Sequence, residues 1–218
     1  MLLGAVSMSY LQILVWPGGG YVGMVLWMMS IVMVAVIVQN FLIVRRTIVM
    51  PDLIRQQVQE FFANKQYREA IQLTSNEPSF YSYVVHAGLS QAPYGYAAMA
   101  RAVAEATDER TSKLLRGAEW LNLLGNIGPM VGLLGTVWGL IMTFFAIVKA
   151  GGMPKPEDLA GAIGIKLVCT LLGLVIAIPS LGVYGIMRNR IDTLSAETLV
   201  AAQELIGTFK PGAKKTAE

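Results

Sequence analysis

The sequence predicts an all-α integral membrane protein with three transmembrane helices, its N-terminus outside and long helices extending into the cytoplasm. Three observations carry this. Of 218 residues, 55% are hydrophobic and only 14% charged, with a mean hydropathy of +0.55; ordinary domains carry about 25% charged residues. The charge deficit is gathered into three apolar blocks. The Lys and Arg residues cluster beside two of those blocks and avoid the rest.

Residues 1–20 form the first segment, expected outside the membrane. Residues 1–16 are apolar and run into "WPGGG", which suggests a short interfacial helix followed by a turn. No Lys or Arg precedes Arg45, so the segment lacks the basic start of a secretory signal and is not expected to be one. Span one covers 21–44, "YVGMVLWMMSIVMVAVIVQNFLIV", with no charged residue. At 1.5 Å per residue it reaches ~36 Å, enough to cross a hydrocarbon core of ~30 Å with some tilt.

Residues 45–119 are expected to form a cytoplasmic helical domain. They hold nine Lys/Arg, the tail 188–218 holds five, residues 1–44 none, and the link 149–161 only Lys149 and Lys155. That asymmetry sets the orientation. Pro51 suits a first helical turn. Ile54, Val58, Phe61 and Phe62 then follow an amphipathic stripe. Tyr67, Ala70 and Ile71 belong to a second short helix that "SNEPS" breaks. "FYSYVVHAGLSQAP" gives a third, ending between Gly88 and Pro93. From Tyr96 no Pro or Gly occurs before Gly117, so one helix is expected from about residue 95 through span two. Span two covers 120–148, span three 162–187, and the chain after span three continues as a helix through "RNRIDTLSAETLVAAQELIGTF". Each extension of about 20 residues would protrude ~30 Å.

No phosphate loop, zinc-protease helix, nucleophile elbow or Cys/His cluster is present, so no enzyme, cofactor or metal is expected. The net charge of +3, without a basic run, argues against nucleic acid. The single cysteine, Cys169, excludes an internal disulfide and reads as a small packing residue. His86 reads as a packed or surface histidine.

Span two carries Gly128/Gly132 and Gly135/Gly139, two G-x-x-x-G pairs, and span three places Cys169, Gly173 and Ala177 at i, i+4, i+8. Small stripes of this kind let helix backbones approach closely. Thr136 and Thr170 lie near the expected midplane. Thr143 shares a face with Thr136, so a hydroxyl track is one reading; bonds to the helix's own carbonyls are the other. No Asp or Glu occurs within any span. The chain therefore lacks the acid of a self-sufficient proton relay.

"GLLGTVWGLIMTF" (132–144) and "CTLLGLVIAIPSLGVYGIMRNRI" (169–191) resemble the MotA/TolQ/ExbB proton channel family, the ExbB and TolQ members more than MotA, over about residues 115–210. The resemblance implies a multi-pass protein of the bacterial inner membrane that assembles as a homopentamer in membrane lipid. A single-span partner of the ExbD or TolR type, as a dimer, would thread the pore and supply an aspartate. Thr136 and Thr170 match the family's ion-path threonines, and Pro179 matches its third-span proline. Five Thr136 hydroxyls in a ring would receive the partner's carboxylate. Ion flow would then drive rotation that works on the cell envelope. One departure stands out: where ExbB-like chains usually carry a glutamate five residues before the third-span threonine, this chain has Ile165, followed by Lys166. Lys166 either snorkels to the interface or acts at the pore. The ion is expected to be a proton, with sodium the alternative. A non-conducting scaffold of the same fold is the competing reading. A self-contained carrier fits poorly, because three spans form no inverted repeat.

Overall fold

The computed structural model describes residues 21–151 and 155–210. The expected interfacial helix in residues 1–16 lies outside them. The described residues are helical, with turns between: α1 (Tyr21–Ile43), α2 (Arg46–Val49), α3 (Asp52–Ala63), α4 (Tyr67–Asn76), α5 (Phe80–Ser90), α6 (Tyr96–Ala150) and α7 (Pro156–Gly207), with one 3-10 turn at Ala92–Tyr94. Three of these helices, α1, α6 and α7, are long and apolar enough to cross a membrane.

The described residues divide into two compact units, 21–38 with 119–151 and 155–185, and 39–118 with 186–210. In the first unit α1 packs on the apolar parts of α6 and α7. Leu26 and Met33 from α1 meet Cys169 and Ile176 from α7, and Val22, Met29, Ile37, Leu124, Val131 and Leu172 close around them. The outward faces stay apolar: Ile31, Phe145 and Ile178 are all exposed. In water such surface is costly; in lipid it is the expected exterior.

The second unit is an ordinary helical core. Val58 from α3, Tyr81, Val84 and Val85 from α5, Met99 and Val103 from α6, and Ile191, Ala202 and Ile206 from α7 are fully buried. Gly88 is the contact that lets α5 approach: a side chain there would strike Val103. Ser79 caps α5, its Oγ accepting the Ser82 N–H at 3.2 Å, a bond that satisfies one orphan donor of the first turn. Asn40 donates to the Gly117 carbonyl at 3.3 Å. Thr111 and Ser195 share a hydroxyl bond at 2.7 Å.

Two details differ from the sequence reading. Pro51 precedes its helix as an extended cap residue, φ −64° and ψ 122°, and α3 starts at Asp52. The short turn α2 was not expected, because four residues carry no readable period. α6 runs to Ala150, and Gly151 then takes φ +68° while its N–H bonds the Val148 carbonyl at 3.3 Å. A left-handed glycine is the usual helix stop. Pro156 opens α7, where its missing N–H costs nothing.

A candidate ion-path site between the second and third spans

The buried positions of α6 in the first unit are Leu121, Gly125, Gly128, Gly132, Gly135, Thr136 and Gly139. They recur every three or four residues, so they form one stripe. Against it α7 sets Cys169, Gly173, Ile176 and Ser180. The two backbones touch. A Cβ on Gly128 would lie 3.1 Å from the Gly173 carbonyl oxygen, one on Gly173 2.6 Å from the Gly128 oxygen, and one on Gly132 2.7 Å from the Cys169 oxygen. At Gly135 it would meet Val22 and the Cys169 side chain.

This approach brings the two threonines together. The Thr136 hydroxyl donates to the Leu133 carbonyl at 2.7 Å in its own helix. The Thr170 hydroxyl faces it from α7, 3.3 Å from Thr136 Oγ1 and 3.4 Å from the Gly132 carbonyl. Thr136 is only 4% exposed, whereas Thr170 is half-buried. Within one chain Thr170 is thus the more exposed residue of the pair, while its hydroxyl is turned toward α6. The pair is neutral, and each oxygen retains lone-pair capacity for an incoming donor.

The other singled-out residues fall around this pair. Thr143 sits two turns along the same stripe, half-buried, and its hydroxyl bonds the Gly139 carbonyl at 2.9 Å rather than Thr136. Lys166 lies one turn from Thr170 on α7. It is half-buried, with its aliphatic stem laid across Gly139. Among the described residues it makes no ion pair. Pro179 is inside α7 and leaves the Val175 carbonyl without its intrahelical donor. Sequence reasoning passed over Ser180, which is fully buried with its hydroxyl on the Ile176 carbonyl at 2.7 Å. It extends the Cys169–Gly173–Ile176 spacing by one step, which was the available signal. It also passed over Pro129 inside α6. Among the described residues no three His, Cys, Asp or Glu gather as a metal would require.

Comparison with known proteins shows the family to which the chain belongs. The model of the MotA/TolQ/ExbB proton channel family matches residues 75–198, more than half of the chain and the whole of the α6–α7 site. The biopolymer transport protein ExbB of Xanthomonas campestris is 32% identical over 116 residues, 52% of this chain and 45% of that protein. ExbB of Salmonella typhimurium is 40% identical over 93 residues, covering 42% and 37% respectively. The matched stretch thus spans less than half of either relative's length. From the family match and three apolar helices of spanning length, the chain is a multi-pass inner-membrane protein and belongs to the MotA/TolQ/ExbB proton channel family.

Proposed function

We propose that this chain is the pentameric, ion-conducting sleeve of a proton-driven motor of the inner membrane. A single-span partner of the ExbD or TolR type, as a dimer, occupies its centre and brings the carboxylate that carries the ion. The N-terminus faces outward and residues 45–119 lie in the cytoplasm, as the Lys/Arg placement favours. The single observation that carries the reading is the Thr136–Thr170 hydroxyl pair, in spans that contain no acid of their own. An ionised carboxylate in hydrocarbon is costly and needs polar groups to receive it. Neutral hydroxyls can accept the O–H of a protonated carboxyl on their lone pairs, or turn to donate to an ionised one, and add no fixed charge that would trap it. The names of the relatives, biopolymer transport proteins, favour work transmitted to the envelope.

The second reading is a scaffold that keeps the fold and conducts nothing. It is favoured by the Thr136 bond to its own helix, the default fate of a threonine in lipid. The test separates the two. Thr136→Ala and Thr170→Ala should assemble at the mass of the parent pentamer yet fail to support ion-coupled work in a complementation assay. Full activity of both variants would refute the ion path and leave the scaffold.

A further inference from the structure

We infer that the second unit holds a binding site for one anionic phospholipid. A cavity of about 300 Å³ is walled by Ile43 and Val44 at the end of span one, Ile48 and Val49 of α2, Phe80 of α5, and Arg110 and Lys113 of α6. Its lining contains two cations and no carboxylate. Among the described residues neither Arg110 nor Lys113 forms an ion pair. The nearby Glu109 accepts the Tyr83 hydroxyl on Oε2 at 2.9 Å and forms no ion pair with Arg110. The Arg110 guanidinium is held in place by the Tyr83 ring, 3.7 Å from its centroid, and its enclosed Nε has no acceptor. A fixed guanidinium with an unmet donor wants an anionic oxygen.

The other large groove of the same unit shows the contrast. Arg46 and Arg55 there stand with Glu197 and Glu204, and Arg46 pairs with Glu197 at 3.6 Å. That groove is charge-balanced and needs no ligand. The Arg110 cavity is not balanced, and apart from Asn40 its remaining wall is apolar. Ile43 and Ile48 are 44% and 53% exposed, directly where the first span ends and Arg45 and Arg46 begin. A phosphate alone would leave that apolar wall uncovered. A phospholipid matches both parts, its phosphate on Arg110 and Lys113 and its acyl chain along Ile43 and Ile48. Such juxtamembrane cations recognise anionic headgroups.

Native mass spectrometry of the detergent-solubilised chain tests this with phosphatidylglycerol, phosphatidylcholine of equal chain length, and inorganic phosphate. Phosphatidylglycerol should bind tightest. Lys113→Gln should weaken it about fivefold, and adding Arg110→Gln about thirtyfold in total, from the usual worth of one cation near a headgroup. Lys113 is exposed, so its variant remains informative even where loss of the Arg110–Tyr83 stack disturbs folding. Equal retention of the two lipids, or unchanged phosphatidylglycerol binding in Lys113→Gln, would overturn the assignment. Inorganic phosphate binding as tightly as the lipid would make the site one for free phosphate and also overturn it.

Discussion

The contact between α6 and α7 makes Gly132→Ala the most informative packing variant. The added Cβ would stand 2.7 Å from the Cys169 carbonyl oxygen and 3.1 Å from the Thr170 Cα. Carbon–oxygen contacts normally settle at ~3.3 Å or more, so the helices must part by about 0.6 Å. Both obstacles are backbone and neither can swing aside. Overpacking of this kind costs ~1–3 kcal/mol, and in lipid there is no hydrophobic gain between helices to offset lost van der Waals contact. Alanine also gains ~1 kcal/mol of helix propensity over glycine. Gly182→Ala cancels that gain in the comparison, because nothing lies within 4 Å of a Cβ at Gly182. Thermal unfolding in detergent, followed by circular dichroism, should place Gly132→Ala ~1–3 kcal/mol below Gly182→Ala, some 2–12 °C in melting temperature for a chain of this size. Gly139→Ala should fall between, since its Cβ would meet only the flexible stem of Lys166. A Gly132→Ala protein as stable as Gly182→Ala would refute backbone contact as the organiser of the site.

Tyr81 is fully buried, and its hydroxyl has no hydrogen-bond partner. Burial raises its pKa above the ordinary value near 10, Arg55 opposing the rise and Glu204 adding to it. A folded-state pKa above the unfolded one contributes stability below pH ~10 that is lost as pH climbs beyond it. Tyr81→Phe should therefore gain ~1 kcal/mol at neutral pH by removing an unsatisfied group, and its unfolding should depend less steeply on alkaline pH; a loss of stability would show a partner for the hydroxyl. Lys166→Met keeps an unbranched stem over Gly139 and removes the charge. Assembly and stability should be unchanged by size-exclusion and thermal assays, and dissociation would mean that the ammonium itself holds the helices.

Much of the fold is legible in the chain because each span is defined by its own composition. Three apolar runs without acids give α1 and the spanning parts of α6 and α7, and the run without Pro or Gly from Tyr96 to Arg116 gives the continuation of α6. The glycine stripe is visible for the same reason: helical period is a local property. What sequence does not carry is which face of one helix meets which face of another. Thr136 and Thr170 are individually conspicuous, yet their 3.3 Å approach follows from Gly132 fitting against Cys169, a contact between residues 37 positions apart. Nor does the chain's sequence show that Thr136 is the more buried of the two within a single chain. Ser180 and Pro129 were hidden by their neighbours, being small breaks inside strongly apolar runs. The α2 turn is too short for any period to show.

On the proposed function this chain offers neutral hydroxyls and a second chain brings the acid. Proton flux into liposomes, read by an internal pH dye under an imposed potential, addresses it directly. The purified chain alone should leave the dye unchanged, and co-reconstitution with a single-span partner bearing a membrane-embedded aspartate should produce flux that Thr170→Ala removes. Full flux from the chain alone would contradict the account.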